Sequence, residues 1–96
     1  METTRLLVLN GSGDVTPSEA LSDLLSAVAS EWRISYRKLK SPRRGSLSVC
    51  EARDEASRRM YEAGYTFRDI GAFLGGRSHA AIWLGVQRAR RSEAAL

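Results

Sequence analysis

The sequence predicts an all-α protein, a small helical bundle that contains a helix-turn-helix. Apolar residues recur at helical spacing through most of the chain, and candidate helix caps and terminating glycines separate the segments. The 96 residues allow one small core, and 43% apolar with 27% charged residues is typical of a globular chain. We therefore expect one domain over residues 16–91, a loose N-terminal arm at 1–15 and a frayed tail at 92–96.

The first helix is predicted over residues 17–32. Its start is marked by TPSE (residues 16–19), a capping box with proline at the first helical position. Apolar residues then follow at helical spacing: Ala20, Leu21, Leu24, Leu25 and Val28. Trp32, at the end of this helix, is expected in the core.

A short helical turn and a basic loop are predicted next. Ser35 can cap a turn that runs through Leu39. The segment SPRRG (41–45) then breaks the helix, because a proline disfavours helical backbone at the residue before it. We expect residues 41–45 to form an exposed, positively charged loop.

A long helix is predicted over residues 47–63. Its apolar stripe consists of Val49, Ala52, Ala56, Met60 and Ala63. On its outer face, Asp54–Arg58 and Glu55–Arg59 are acid-before-base pairs at the spacing that stabilises helices. Gly64 is expected to end the helix, and Cys50 to be a small buried hydrophobic residue.

Two further helices are predicted on either side of a glycine turn. Thr66 caps the first, which has Phe67, Ile70, Phe73 and Leu74 toward the core. Gly75-Gly76 ends it, and Ser78 caps a last helix over about 79–91, with Ile82, Val86 and Ala89 inward. Trp83 is expected in the core more often than at a surface.

This helix, turn and helix pattern is typical of a helix-turn-helix, in which the second helix enters the DNA major groove by its N-terminal end. Gly71, inside the first of the two helices, fits a close contact between them. Any pair of antiparallel helices in a small bundle could give the same pattern.

Positive charge is concentrated in two segments. Residues 33–50 carry six basic residues and no acid, and residues 77–96 have a net charge of +3, whereas residues 1–32 sum to −4 and 51–76 to −1. The whole chain has a net charge of +4, and most of its basic residues are arginine. Such segments are often only solvated surface, but arginine at this density also favours a polyanionic partner such as nucleic acid.

The residue types argue against an enzyme. The chain has one histidine, one cysteine and no clustered carboxylates, so it offers no nucleophile–base pair and no metal or cofactor site. We expect no small-molecule substrate. A single cysteine fits a reducing cytoplasm, and the apolar run at residues 6–9 is too short to span a membrane.

The motif GGRSH (75–79) resembles the Gly-Gly-Arg-Asp-His signature of the C-terminal DNA-binding domain, domain IV, of the bacterial replication initiator DnaA. The resemblance extends without a gap from residue 28 to about residue 90 and includes the basic loop, the long helix and Ile70-Gly71. It implies the TrpR-like helix-turn-helix arrangement of that domain. The initiator's ATPase is missing, because the sequence has no Gly-x-x-x-x-Gly-Lys-Ser/Thr loop.

The resemblance also implies DNA-contacting residues. Arg44 takes the place of the family's arginine that enters the minor groove, and His79 that of a histidine reading base edges in the major groove. Ser78 replaces the family's aspartate, and Ala80 and Ala81 replace its threonines, so base choice is expected to differ. The expected DNA-binding residues are Lys40, Arg43, Arg44, Arg77, Ser78, His79, Ala80, Ala81 and Gln87.

These observations together predict a sequence-specific double-stranded DNA-binding protein that regulates transcription, cytoplasmic and associated with the nucleoid. RNA polymerase or another regulator could be a further partner. Two alternatives stay open: a replication-control factor that competes at origins, and a protein-interaction module that has lost DNA readout. Lys40, Arg43 and Arg77 are expected to act on phosphates, whereas Arg44 and His79 are expected to select sequence.

Overall fold

The computed structural model describes residues 17–94, which form five helices and no strand. The helices are α1 (Pro17–Trp32), α2 (Tyr36–Lys40), α3 (Leu47–Glu62), α4 (Phe67–Phe73) and α5 (His79–Ala94). The prediction of a small all-α bundle is confirmed. The predicted arm at residues 1–15 and the proposed cap at Thr16 lie outside the described residues.

Side-chain caps set the beginnings of α2 to α5. The hydroxyls of Ser35, Ser46, Thr66 and Ser78 each accept a hydrogen bond from a backbone N–H three residues later. Three of these caps were predicted, and Ser46 was not singled out. Gly64 follows the end of α3 with φ +106°, a backbone conformation that glycine adopts without strain.

The core lies where the long helix α3 packs against α1 on one side and α5 on another, with α4 packed on α5. Its residues come from all five helices: Leu21, Leu25, Val28, Leu39, Val49, Ala52, Ala56, Met60, Ile70, Leu74, Ile82 and Val86. Most of them were predicted from helical spacing. None of the described helices has the length and apolar character needed to cross a membrane.

The structure corrects several details of the sequence predictions. Helix α5 continues to Ala94, so residues 92–94 belong to it rather than to a frayed tail. Glu93 pairs there with Arg58 at 3.1 Å, which fixes the last turn of α5 to α3. Ala63 is exposed because it is the C-cap of α3, past the end of the buried stripe.

Both tryptophans are more exposed than predicted. Trp32 is 39% exposed because it closes α1 beyond the level of the core. Trp83 is 48% exposed, since it lies about 100° around α5 from the buried Ile82. Cys50 is half-buried, and its thiol donates a hydrogen bond to the carbonyl of Arg44 at 3.3 Å.

One of the two predicted ion pairs on α3 forms and the other does not. Glu55 contacts Arg59 at 2.7 Å, as expected. Asp54 instead pairs with Arg88 of α5 at 2.9 Å, and Arg58 binds Glu55. The prediction of an Asp54–Arg58 pair was wrong because a partner on a neighbouring helix lies within reach.

Candidate functional site

The turn between α4 and α5 packs directly on the backbone of the basic loop. Gly75 has φ +78°, and a Cβ atom at this position would lie 2.8 Å from the carbonyl oxygen of Lys40 and 3.0 Å from the nitrogen of Pro42. A larger residue would therefore be strained and would push the loop away. Gly75 thus allows the turn before α5 to lie against the basic loop, more than thirty residues earlier in the chain.

Arg77 ties the same two segments together through its side chain. Its guanidinium donates hydrogen bonds to the carbonyl oxygens of Ser41 at 2.8 Å and of Arg43 at 3.0 Å. It also bonds the carbonyl of Leu74, at the end of α4. Arg77 was predicted to contact phosphate, which stays a prediction, but the structure gives it a second role as an anchor of the basic loop.

Arg53 holds the same loop from helix α3. Although charged, this residue of α3 is only 6% exposed. Its guanidinium donates to the carbonyl oxygens of Lys38, Leu39, Arg43 and Arg44 at 2.9–3.3 Å. Two of these carbonyls belong to the last turn of α2, where helical carbonyls lack partners within the helix. Arg53 therefore caps α2 and orders the loop that follows.

Burial changes the acid–base behaviour of both arginines. Desolvation lowers the pKa of Arg53 from its ordinary value. Desolvation also lowers the pKa of Arg77, and the nearby positive charge of Arg53 lowers it further. Arginine stays protonated at neutral pH despite such shifts. The two cations are stabilised here by backbone carbonyl dipoles.

Sequence reasoning missed Arg53, although a signal was present. Val49, Ala52, Ala56 and Met60 form the buried stripe of α3, and Arg53 lies four residues after the first of them and three before the third. An arginine at such a position must bury its charge and find several acceptors. That requirement points to a structural guanidinium.

Several residues that were predicted to contact DNA lie at the surface of the basic loop and of the first turn of α5. Arg43 and Arg44 are exposed, and so are His79, Ala80 and Ala81 in the first turn of α5. No hydrogen bond or ion pair of the described residues involves the guanidinium of Arg43 or Arg44. The carbonyls of the loop face inward to Arg53 and Arg77, which leaves these side chains available for a partner.

Of the remaining predicted site residues, Lys40 and Ser78 have partners within the protein. The ammonium of Lys40 lies 4.2 Å from the centre of the Phe73 ring, a cation–π contact that joins α2 to α4. The Ser78 hydroxyl accepts from the N–H of Ala81 at 3.2 Å, and its own proton can still be donated. Gln87 is half-buried, two turns into α5.

Gly71 fixes the distance between α4 and the turn before α5. Its carbonyl accepts hydrogen bonds from the N–H groups of Gly76 and Arg77 at 3.0 and 2.9 Å. A Cβ atom on Gly71 would collide with the carbonyl oxygen of Arg77. The predicted close approach at Gly71 is confirmed, and its partner is the turn that positions α5.

A groove of about 1010 Å³ runs between α3 and α5 beside this assembly. Arg44 and Arg77 lie along it, and Asp54 and Arg88 bridge it. Within residues 17–94, no group of three or more His, Cys, Asp or Glu side chains is placed to hold a metal ion.

Comparisons of this chain with protein-family models, with curated proteins and with solved structures found no match.

Proposed function

We propose that this protein binds double-stranded DNA sequence-specifically and regulates transcription, using α4, the glycine turn and α5 as a helix-turn-helix. The start of α5 enters the major groove, where His79 meets base edges. Arg44 enters the adjacent minor groove, whose negative potential is strongest in narrow A·T-rich tracts. Residues Arg43 and Lys40 bind phosphates on either side.

One observation carries this proposal: Arg77 joins the basic loop to the start of α5. Its bonds to Ser41 and Arg43, at 2.8 and 3.0 Å, keep the exposed arginines of the loop beside the exposed first turn of α5. Phosphate contacts that position a protein and base contacts that select sequence must act on one duplex together. A protein that only solvated its charges would not need the loop to be held there.

The DnaA-like motif supports the same proposal and adds an expectation about sequence. A helix that starts Ser-His-Ala-Ala offers fewer hydrogen bonds to base edges than one that starts Asp-His-Thr-Thr. We therefore propose that the preferred DNA sequence differs from the DnaA box, the sequence that the initiator binds (the initiator's box). Association with the nucleoid in the cytoplasm follows from chromosomal DNA as the partner.

The salt dependence of DNA binding tests the proposal. A random-sequence duplex is titrated with the whole chain at several salt concentrations, and the dissociation constant is measured by fluorescence anisotropy. About four to seven phosphate contacts would give a log–log slope of roughly −4 to −6. Arg68→Gln, on the exposed side of α4, serves as the charge-matched control for loss of Arg43.

Each outcome is decisive. A steep slope that Arg43→Gln reduces and Arg68→Gln leaves unchanged supports binding through the basic loop. A flat response, or equal effects of the two substitutions, would contradict it. In that case the basic surface serves a protein partner, as in a protein-interaction module.

A further inference from the structure

Two large apolar side chains are exposed side by side in the second turn of α5. Trp83 is 48% exposed and Leu84 is 47% exposed. They follow Ala80 and Ala81, which are exposed as well. Contiguous apolar surface of this kind marks a site of interaction rather than ordinary solvated surface.

Helical spacing shows which line of α5 faces outward. Ile82, Val86 and Ala89 are buried, so the opposite line passes through positions 80, 84, 87 and 91. Read from the N-terminal end, this line is Ala, Leu, Gln and Arg. The outer face is thus apolar where α5 begins and positively charged where it approaches its end.

The charge around this face favours an anionic partner. Residues 79–92 contain three arginines: Arg88 pairs with Asp54 of α3 at 2.9 Å and Arg90 with Glu62 at 3.8 Å, whereas Arg91, on the outward line, has no ion pair within the part of the chain that the structure describes. The basic loop lies beside the start of the helix, held there by Arg77 through the carbonyl of Arg43. At the two ends of this face, Arg43 and Arg44 of the loop and Arg91 of α5 are exposed and have no ion pairs among residues 17–94, and they are complementary in charge to a polyanion.

A surface that is both polyanionic and locally apolar exists in the DNA major groove. There the C5-methyl group of thymine is the apolar group that the base pairs present, and small or aliphatic side chains contact it. A 5-methylcytosine carries the same methyl group at the same ring position. We propose that Ala80, Trp83 and Leu84 recognise 5-methylpyrimidines, which rests on the DNA-binding function proposed above.

The test removes the methyl group alone. A duplex is first selected from a random library by the whole chain, and each of its thymines is then replaced singly by deoxyuridine, which keeps every hydrogen-bonding group. Loss of one buried methyl should weaken binding about fourfold at each contacted position. In a second arm, single cytosines are replaced by 5-methylcytosine. A gain in affinity of similar size shows that the protein contacts a methyl group at that cytosine.

Two variants localise the effect. In Leu84→Ala, the penalty for deoxyuridine should shrink at the positions that Leu84 contacts, because the interaction is already lost. Leu47→Ala is the matched control, since Leu47 is also an exposed leucine, 70% exposed, but lies on α3. It should keep the full penalty. Alanine is a good helix former, so both variants should fold, which circular dichroism verifies.

The two proposals can fail separately. If a duplex is selected but neither base replacement changes its affinity, recognition of methyl groups is wrong and DNA binding stands. If no duplex is selected from the library, both proposals fall. An equal loss of the deoxyuridine penalty in Leu84→Ala and Leu47→Ala would also overturn the assignment to α5.

Discussion

The guanidinium groups of Arg53 and Arg77 converge on one acceptor, the backbone carbonyl oxygen of Arg43, at 3.3 and 3.0 Å. Arg53 comes from the long helix α3, and Arg77 from the turn before α5. The carbonyl group of Arg43 therefore links the basic loop both to α3 and to the turn before α5. The positions of Arg43 and Arg44 therefore depend on how α3 and the turn before α5 pack together.

The first prediction concerns Arg53. Arg53→Lys should lower the free energy of unfolding by about 2–4 kcal/mol, because a single ammonium cannot reach the carbonyls that the guanidinium bonds. Urea denaturation followed by circular dichroism measures this change. Arg68→Lys, at an exposed position of α4, is the control and should stay within about 0.5 kcal/mol of wild type. Equal stability of the two variants would show that the buried contacts contribute nothing.

The second prediction separates anchoring from charge at Arg77. Arg77→Lys keeps the positive charge but loses the forked bonds to Ser41 and Arg43, so it should weaken selected and random duplexes alike by about 1–2 kcal/mol. Arg43→Lys is the control, because its exposed side chain needs only its charge to bind phosphate. Arg77→Ala should in addition reduce the salt slope by about 1. Wild-type affinity of Arg77→Lys for both duplexes would show that Arg77 acts only through its charge on phosphate and does not anchor the loop.

The third prediction concerns selectivity. Arg44→Ala and His79→Ala should each weaken the selected duplex by about 1–3 kcal/mol more than random duplex, because these side chains are proposed to enter the grooves. Competition binding gives the ratio of the two affinities, and circular dichroism must first show that α5 is intact. Lys40→Ala is expected to leave the ratio near that of wild type. A wild-type ratio in both folded variants would reject the proposed orientation on DNA.

A fourth prediction follows from Ser78, Ala80 and Ala81. Selection from random duplexes should return a site other than the initiator's box, because each lost bidentate contact to a base costs about 1–3 kcal/mol at that base pair. Sequencing of the enriched pool gives the answer. The initiator's box as the most enriched sequence would contradict this account of the three substitutions.

The fifth prediction is a pH dependence of stability through Glu55. Burial disfavours its ionised form, but hydrogen bonds from Arg58 and Arg59 outweigh burial and hold the pKa of Glu55 below its ordinary value. A carboxyl whose pKa is lower in the folded state stabilises the protein above its unfolded-state pKa, which is near 4.3 for glutamate. That contribution is lost as the pH falls through the folded-state pKa.

Urea denaturation at a series of pH values compares wild type with Glu55→Gln. The difference in unfolding free energy should be constant at neutral pH and shrink as the pH falls below about 4, where the wild-type carboxyl also becomes neutral. Glu51→Gln, an exposed position of the same helix, controls for the general effect of lost charge. A difference that stays constant down to strongly acidic pH would show that Glu55 does not act through ionisation.

Features that depend on residues close together in the chain were predicted better than contacts between distant residues. Helix α1 begins and ends at the predicted residues, and the glycines after α3 and α4 end those helices as expected. Three of the four observed hydroxyl caps and most of the buried stripe positions were also predicted. Each of these depends on residues within a few positions of one another, and such residues determine local backbone geometry whatever the rest of the chain does.

The sequence by itself thus determined the all-α class, the starts of the helices and the two positively charged segments. Only the tertiary structure decided that Asp54 pairs with Arg88 rather than Arg58, and that Arg53 and Arg77 meet at the carbonyl of Arg43. These choices join residues 10 to 34 positions apart in the chain. They depend on how closely whole helices approach one another, and spacing along a single helix carries no information about that distance.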